Sequence, residues 1–159
     1  MPLDAPFELG PFRVDQGGAL ALARPDSLPR FHLEWRGVRV EARIEAGGQD
    51  ALLQLEAIPG RVPSTAAGDA AARDVVFSTL RGLPGALPPG WRMALQPDHR
   101  VALHASRSLT LPTTACTLLV EVTMFLLALA PYLDLLADAG VEGEALSAWA
   151  PGMAKTWPG

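Results

Sequence analysis

Several residue types are nearly missing from this chain, and each gap closes a line of function. There is one cysteine, Cys116, so an intrachain disulfide and any zinc site built on cysteines are excluded. There is one lysine, Lys155; the other basic residues are arginines scattered along the chain, and the net charge is −4. Without a Lys/Arg stripe to neutralise phosphates, nucleic acid is not expected as a partner. The opening MPLDAPFELGPF has no basic n-region and no continuous apolar h-region, so it does not read as a secretory signal. Together with a lone thiol this fits the cytoplasm. Phosphate-cradling patterns are absent too: there is no GxxxxGK(S/T) and no GxGxxG, and DQGG, AGGQD and PGALPPG read as turns.

The gaps extend to catalysis and metals. His32, His99 and His104 lack the spacing of two histidines at i and i+4 around a glutamate, so no metal is expected. Asp98-His99 offers half of a dyad, but no serine lies in a Gly-x-Ser-x-Gly setting to be activated. The pair reads as turn chemistry. Cys116 opens a very apolar stretch and reads as a small core residue. No catalytic residue, metal or cofactor is assigned.

What is there is a core. With 159 residues, 49% hydrophobic and 19% charged, the chain is expected to form one globular domain over residues 1–140, followed by a tail, 141–159. A chain of this size buries about two thirds of its unfolded surface. The first eleven residues are read as surface chain without regular structure. FRVDQGGALALA reads as two short strands about a Gln16-Gly17-Gly18 turn. In FHLEWRGVRVEARIE, Phe31, Leu33 and Trp35, then Val38, Val40, Ala42 and Ile44, alternate with polar residues. Period two gives one apolar face and one wet face carrying both signs of charge. ALLQLEAI is a further strand. A helix follows near 64–83, with Ser64 or Thr65 as cap, a stripe of Val75, Val76, Leu80 and Leu83, and Gly82 and Pro84 as its stop. WRMALQPDHRVALHA is a hairpin turning at Pro97-Asp98. The expected order is β-β-β-β-β-α-β-β-α, an α+β two-layer domain with an antiparallel sheet of five or more strands on two helices.

The last element, LLVEVTMFLLALAPYLDLL (118–136), decides most. Only Glu121, Thr123, Pro131 and Asp134 interrupt its apolar run. Thr113 or Thr114 is the expected N-cap and Gly140 the C′ residue. On a helix, Leu118, Val122, Phe125 and Leu129 share one face, and Val120, Met124 and Leu127 lie roughly opposite. The run is close to the length of a membrane span. Inserting it in lipid would uncover the sheet, however, at roughly 1.5–3 kcal/mol for each large aliphatic side chain. A wholly internal helix is the second reading. The expectation is the third: one face on the sheet, the other on a partner, most simply a second copy of the chain. Val120, Met124, Leu127 and Glu121, with Trp149 and Trp157, are the expected dimer or partner interface; Glu121 faces solvent, pairs with an arginine of the sheet or of the partner, or serves as an acid or base. Pro131 is expected to kink or restart the helix. The tail is expected to begin with a short helical segment, Glu142 to Trp149. Trp149 and Trp157 pack back on the domain or dock on a partner.

Taken together, FHLEWRGVRVEARIE, LLQLEAIPGRVPS and GWRMALQPDHRVALHASRSL before a long apolar helix resemble the class I type III secretion chaperones and the similar YbjN-like domains, over residues 30–138. Those chaperones open with a helix where this chain opens with strands. The resemblance implies a dimeric two-layer α+β fold without catalytic residues. It also implies binding of unfolded or extended protein segments through apolar grooves and strand edges. The functional expectation is a non-enzymatic, chaperone-like protein-binding module acting as a homodimer. The alternatives are a small enzyme or ligand-binding domain with a pocket between sheet and long helix, and a structural subunit of a larger bacterial complex.

Overall fold

The computed structural model describes residues 5–24, 29–47, 50–67 and 70–143. The alternating stretch forms β4 (Arg30–Trp35) and β5 (Val38–Gly47), and β6 (Asp50–Arg61) follows. After α1 (Ala70–Gly82) come β7 (Trp91–Leu95), β8 (Arg100–Thr110) and α2 (Ala115–Asp138). The five strands form one antiparallel sheet in the order β4-β5-β6-β8-β7. The α+β class and the order of these elements are as the sequence indicates. Three further strands, β1 (Phe7–Leu9), β2 (Phe12–Val14) and β3 (Leu20–Leu22), form a separate antiparallel sheet in sequence order. The strands are therefore divided between two sheets. β1 is an addition to the expected order: its three residues, flanked by prolines, have no periodicity to read, and pairing with β2 supplies its structure.

β4 and β5 are joined by Arg36 and Gly37, both at positive φ (52° and 75°). Two such residues make the hairpin turn whose twist matches the strands. On β5, Val38, Val40, Ala42 and Ile44 point into the core and Arg39, Arg43 and Glu45 outward. β6 runs three residues past the expected end because the ladder slips between Ala57 and Gly60. That irregularity takes up Pro59, which has no N–H for a regular ladder.

α1 starts later than its capping residues. Ser64 Oγ accepts from the Ala66 N–H at 3.2 Å, which serves a short 3-10 turn at Thr65–Ala67 instead. Val76, Leu80 and Leu83 are buried, but Val75 is 54% exposed and Phe77 takes its place against the core. Adjacent residues are 100° apart on the helix, and the inward arc runs over Val76 and Phe77, leaving Val75 on the outer side.

α2 is capped at both ends. Thr114 Oγ1 accepts from the Thr117 N–H at 3.1 Å. At the other end, Gly140 at φ 97° donates to the Ala137 carbonyl (3.0 Å) and Val141 to the Leu136 carbonyl (2.9 Å). This pair of bonds is the Schellman closure, which needs a left-handed residue at C′. The helix continues through Pro131 without a restart. Pro131 is exposed, on the side where water can reach the carbonyl its missing N–H leaves open. Beyond the helix, Glu142 exchanges two backbone bonds with Arg61 (2.8 and 2.9 Å), so it is extended rather than helical, and Val141 is buried.

Leu118, Val122, Phe125, Leu129, Leu133 and Leu136 are buried, a spacing of four, three, four, four, three that keeps one face of α2 on the sheet. Phe125 stacks on Trp91 with ring centroids 4.8 Å apart, and Tyr132 lies 5.9 Å from the same indole. The Tyr132 hydroxyl donates to the Ala86 carbonyl at 2.8 Å, tying α2 to the link after α1. Leu129→Ala is expected to lower unfolding free energy by about 2–5 kcal/mol in urea denaturation, because Leu129 is fully buried and its removal leaves a cavity.

Candidate functional site

The same periodicity that buries one face of α2 presents the other to solvent. Leu119, Val120, Met124 and Leu127 are 53, 52, 56 and 62% exposed. Leu135, farther along, is exposed as well. The sheet has one inner face and covers one side of the helix; no element among the described residues covers the other.

The first sheet shapes what lies beside this face. The Leu20 N–H donates to the Thr113 carbonyl (3.0 Å) and the Ala115 N–H to the Gly18 carbonyl (2.9 Å). These bonds clamp the β2–β3 turn to the start of α2, and Phe12 packs edge-on to Phe31 at 6.2 Å to hold the sheet against β4. An open apolar groove of about 600 Å³ results. Phe7 and Val14 form one wall, and Cys116, Leu119, Val120 and Met124 the other.

Val120, Met124 and Leu127 thus face outward together, as their spacing indicates. Glu121 lies on the flank of this face, partly covered, with Oε2 4.0 Å from Arg107 Nε. That is the outer limit of an ion pair, so the two charges interact weakly. Trp149 and Trp157 lie outside the described residues. Cys116 is exposed and lines the groove rather than filling the core. Its place follows from spacing: it lies four residues before Val120, on the outward side. The contribution of Phe7 and Val14 was not readable, because nothing in a three-residue strand states which distant helix it will flank.

The opposite side of the molecule has the reverse character. On the outer face of the five-stranded sheet, His32, Glu41, Glu56, His104 and Arg92 stand in register across all five strands. Arg30 Nη2 donates to Glu41 Oε2 at 2.8 Å, and Arg39 approaches Glu41 Oε1 at 3.1 Å. His104 Nδ1 is 3.1 Å from Glu56 Oε2, and the Ser106 hydroxyl donates to Gln54 at 2.6 Å. The Arg30 hydrogen bond holds the Glu41 carboxyl below its ordinary range, against a smaller opposing effect of burial. His99 sits in the β7–β8 turn at φ 65°, while neighbouring Asp98 accepts from Arg100 Nε at 2.6 Å. No three His, Cys, Asp or Glu among the described residues are grouped to hold a metal ion.

Between sheet and α2 the space is filled by side chains, Phe125, Leu129, Leu53 and Leu103 among them. At its edge, beside Arg36 and Asp134, is a recess of about 210 Å³; the pocket there belonged to an alternative reading of the sequence. Arg36 Nη2 donates to Asp134 Oδ1 at 2.6 Å across it, joining the β4–β5 turn to α2. By length and composition α2 could cross a membrane, yet its buried residues are the sheet's cover.

Arg30→Ala removes the principal donor to Glu41. The Glu41 pKa is expected to rise toward the ordinary value of about 4.3, read from its carboxyl shift in an NMR titration. A lowered folded-state pKa contributes stability above the unfolded-state pKa, and that contribution disappears as pH falls through the folded value. The variant should therefore unfold at a higher pH during acid titration, with little change at pH 7 because the pair is half-exposed.

Comparison with protein-family models, with curated proteins and with solved structures finds no match for this chain.

Proposed function

We propose that the chain is a non-enzymatic, chaperone-like protein-binding module of the cytoplasm, acting as a homodimer through the outward face of α2 and the groove beside it. The observation that carries this reading is the row of large apolar side chains, Leu119, Val120, Met124 and Leu127, each more than half exposed on a helix whose other side is core. Isolated apolar residues are ordinary on protein surfaces; a contiguous face of this kind marks an interaction site. The groove adds a concave, uncharged wall suited to an apolar side chain or an extended segment. The resemblance of residues 30–138 to secretion chaperones points the same way.

The polar outer face of the sheet is a poorer candidate. Most of its charges lie in neighbouring pairs, and its recess of about 130 Å³ is lined largely by those residues, with Arg92 beside them.

Sedimentation of the purified chain at micromolar concentration is expected to give twice the chain mass of 16.8 kDa. Met124→Glu with Leu127→Glu places two charges on the face and is expected to weaken association at least tenfold, about 1.4 kcal/mol. Both positions are exposed, so the thermal midpoint of the single chain should be nearly unchanged. A wild-type chain that sediments as 16.8 kDa would remove the homodimer from the proposal.

A further inference from the structure

We infer that two copies pair with their α2 helices antiparallel, centred between Thr123 and Met124; this rests on the self-association proposed above and specifies its geometry. The exposed residues Cys116, Val120, Thr123, Leu127 and Pro131 recur at intervals of four, three, four and four, so they form one ridge along the helix. Farther on, the ridge becomes acidic, at Asp134 and Asp138. Its apolar part therefore runs from 116 to 131, and its midpoint falls at 123–124. Antiparallel pairing about that midpoint sets Val120 against Leu127 of the second copy and Cys116 against Pro131. Apolar surface meets apolar surface over the whole ridge. Thr123, small and at the centre, permits the 8–10 Å approach of packed helices.

Charge selects this direction over the parallel one. α2 contains Glu121, Asp134 and Asp138 and no basic residue. A parallel pair would place Asp134 and Asp138 beside their own copies and align two C-terminal partial negative charges. Arg36 offsets Asp134; Asp138 has no ion-pair partner among the described residues. An antiparallel pair carries each acidic end past the other helix's N-terminus, where the helix dipole favours negative charge. Shape agrees. The groove flanks residues 116–124, which would face residues 123–131 of the second copy. Leu127, the most exposed apolar side chain, is then the group that enters it.

Native Cys116 makes the arrangement measurable. In the antiparallel pair the two Cys116 residues stand about 22 Å apart along the helices, fifteen residues at 1.5 Å each, too far for a disulfide. In a parallel pair they would face each other. Under mild oxidation with copper phenanthroline, the wild-type chain is expected to remain without a covalent dimer. Pro131→Cys is expected to give one, linked from Cys116 to position 131 of the second copy in peptide mass mapping. The same variant with Cys116→Ala should give none. Position 131 is exposed and the change restores a helix N–H, so folding is preserved; circular dichroism checks this. A wild-type Cys116–Cys116 disulfide would overturn the antiparallel geometry while leaving self-association intact. A dimer by sedimentation in which neither pair links would overturn the use of this ridge. A single-chain mass for the wild type would overturn both the geometry and the homodimer.

Discussion

A sheet has two faces and a helix has a full circumference, and the described residues supply one helix long enough to cover the larger sheet. That mismatch governs the molecule. α2 seals the sheet through six buried side chains and the Trp91–Phe125 stack, and α1 adds Val76 and Leu80 at the side, with Leu83 just past its end. At roughly 1.5–3 kcal/mol for each large aliphatic group, the inner face of α2 is comparable to the whole net stability of a small domain, about 5–15 kcal/mol. Moving the helix off the sheet would forfeit that burial, and its outward half remains free of contact among the described residues.

The two outer surfaces are complementary in what each lacks. The sheet's far face has charge of both signs and no apolar recess; the far face of α2 has an apolar groove and little charge. A layer between copies would bury the second and leave the first in water, with the ion pairs Arg30–Glu41 and Arg43–Glu45 on the outside. Those pairs add little to stability when hydrated. Their contribution is to keep the edge and face of an open sheet polar, which discourages stacking of copies on the wrong side. The same strands thus specify both the core and a charged outer surface.

Most of this was legible where one local rule acts alone. Alternation over Phe31–Ile44 gives both faces of β4 and β5, and 3.6-residue spacing gives both faces of α2. Thr114 and Gly140 mark its ends through capping chemistry that depends only on nearby residues. Reading fails where two rules compete or where the partner is distant. Val75 and Val76 are equally apolar, and only packing decides which turns inward. Cys116 reads as core by its neighbours' hydrophobicity, yet spacing places it on the outward side. β1 has no signal of its own, Pro59 passes inside a strand because the ladder slips, and Pro131 passes inside a helix because it faces water. Phe7 reaches the groove only through the β1–β2 pairing and the bonds that clamp the β2–β3 turn to α2.

The division of surfaces also bears on chemistry. General acid–base work needs an ionisable group moved toward neutral pKa in a cleft that excludes water. Glu41 is moved the other way, held ionised by Arg30 on an open sheet face. His104 has Glu56 beside it but no serine, cysteine or lysine within the same row across the sheet. The groove beside α2 has the concavity, and its polar atoms among the lining residues are those of Thr123, Cys116 and backbone. Charge therefore gathers on the outer face of the sheet around a small recess, and the larger concavity lies beside α2 among apolar side chains.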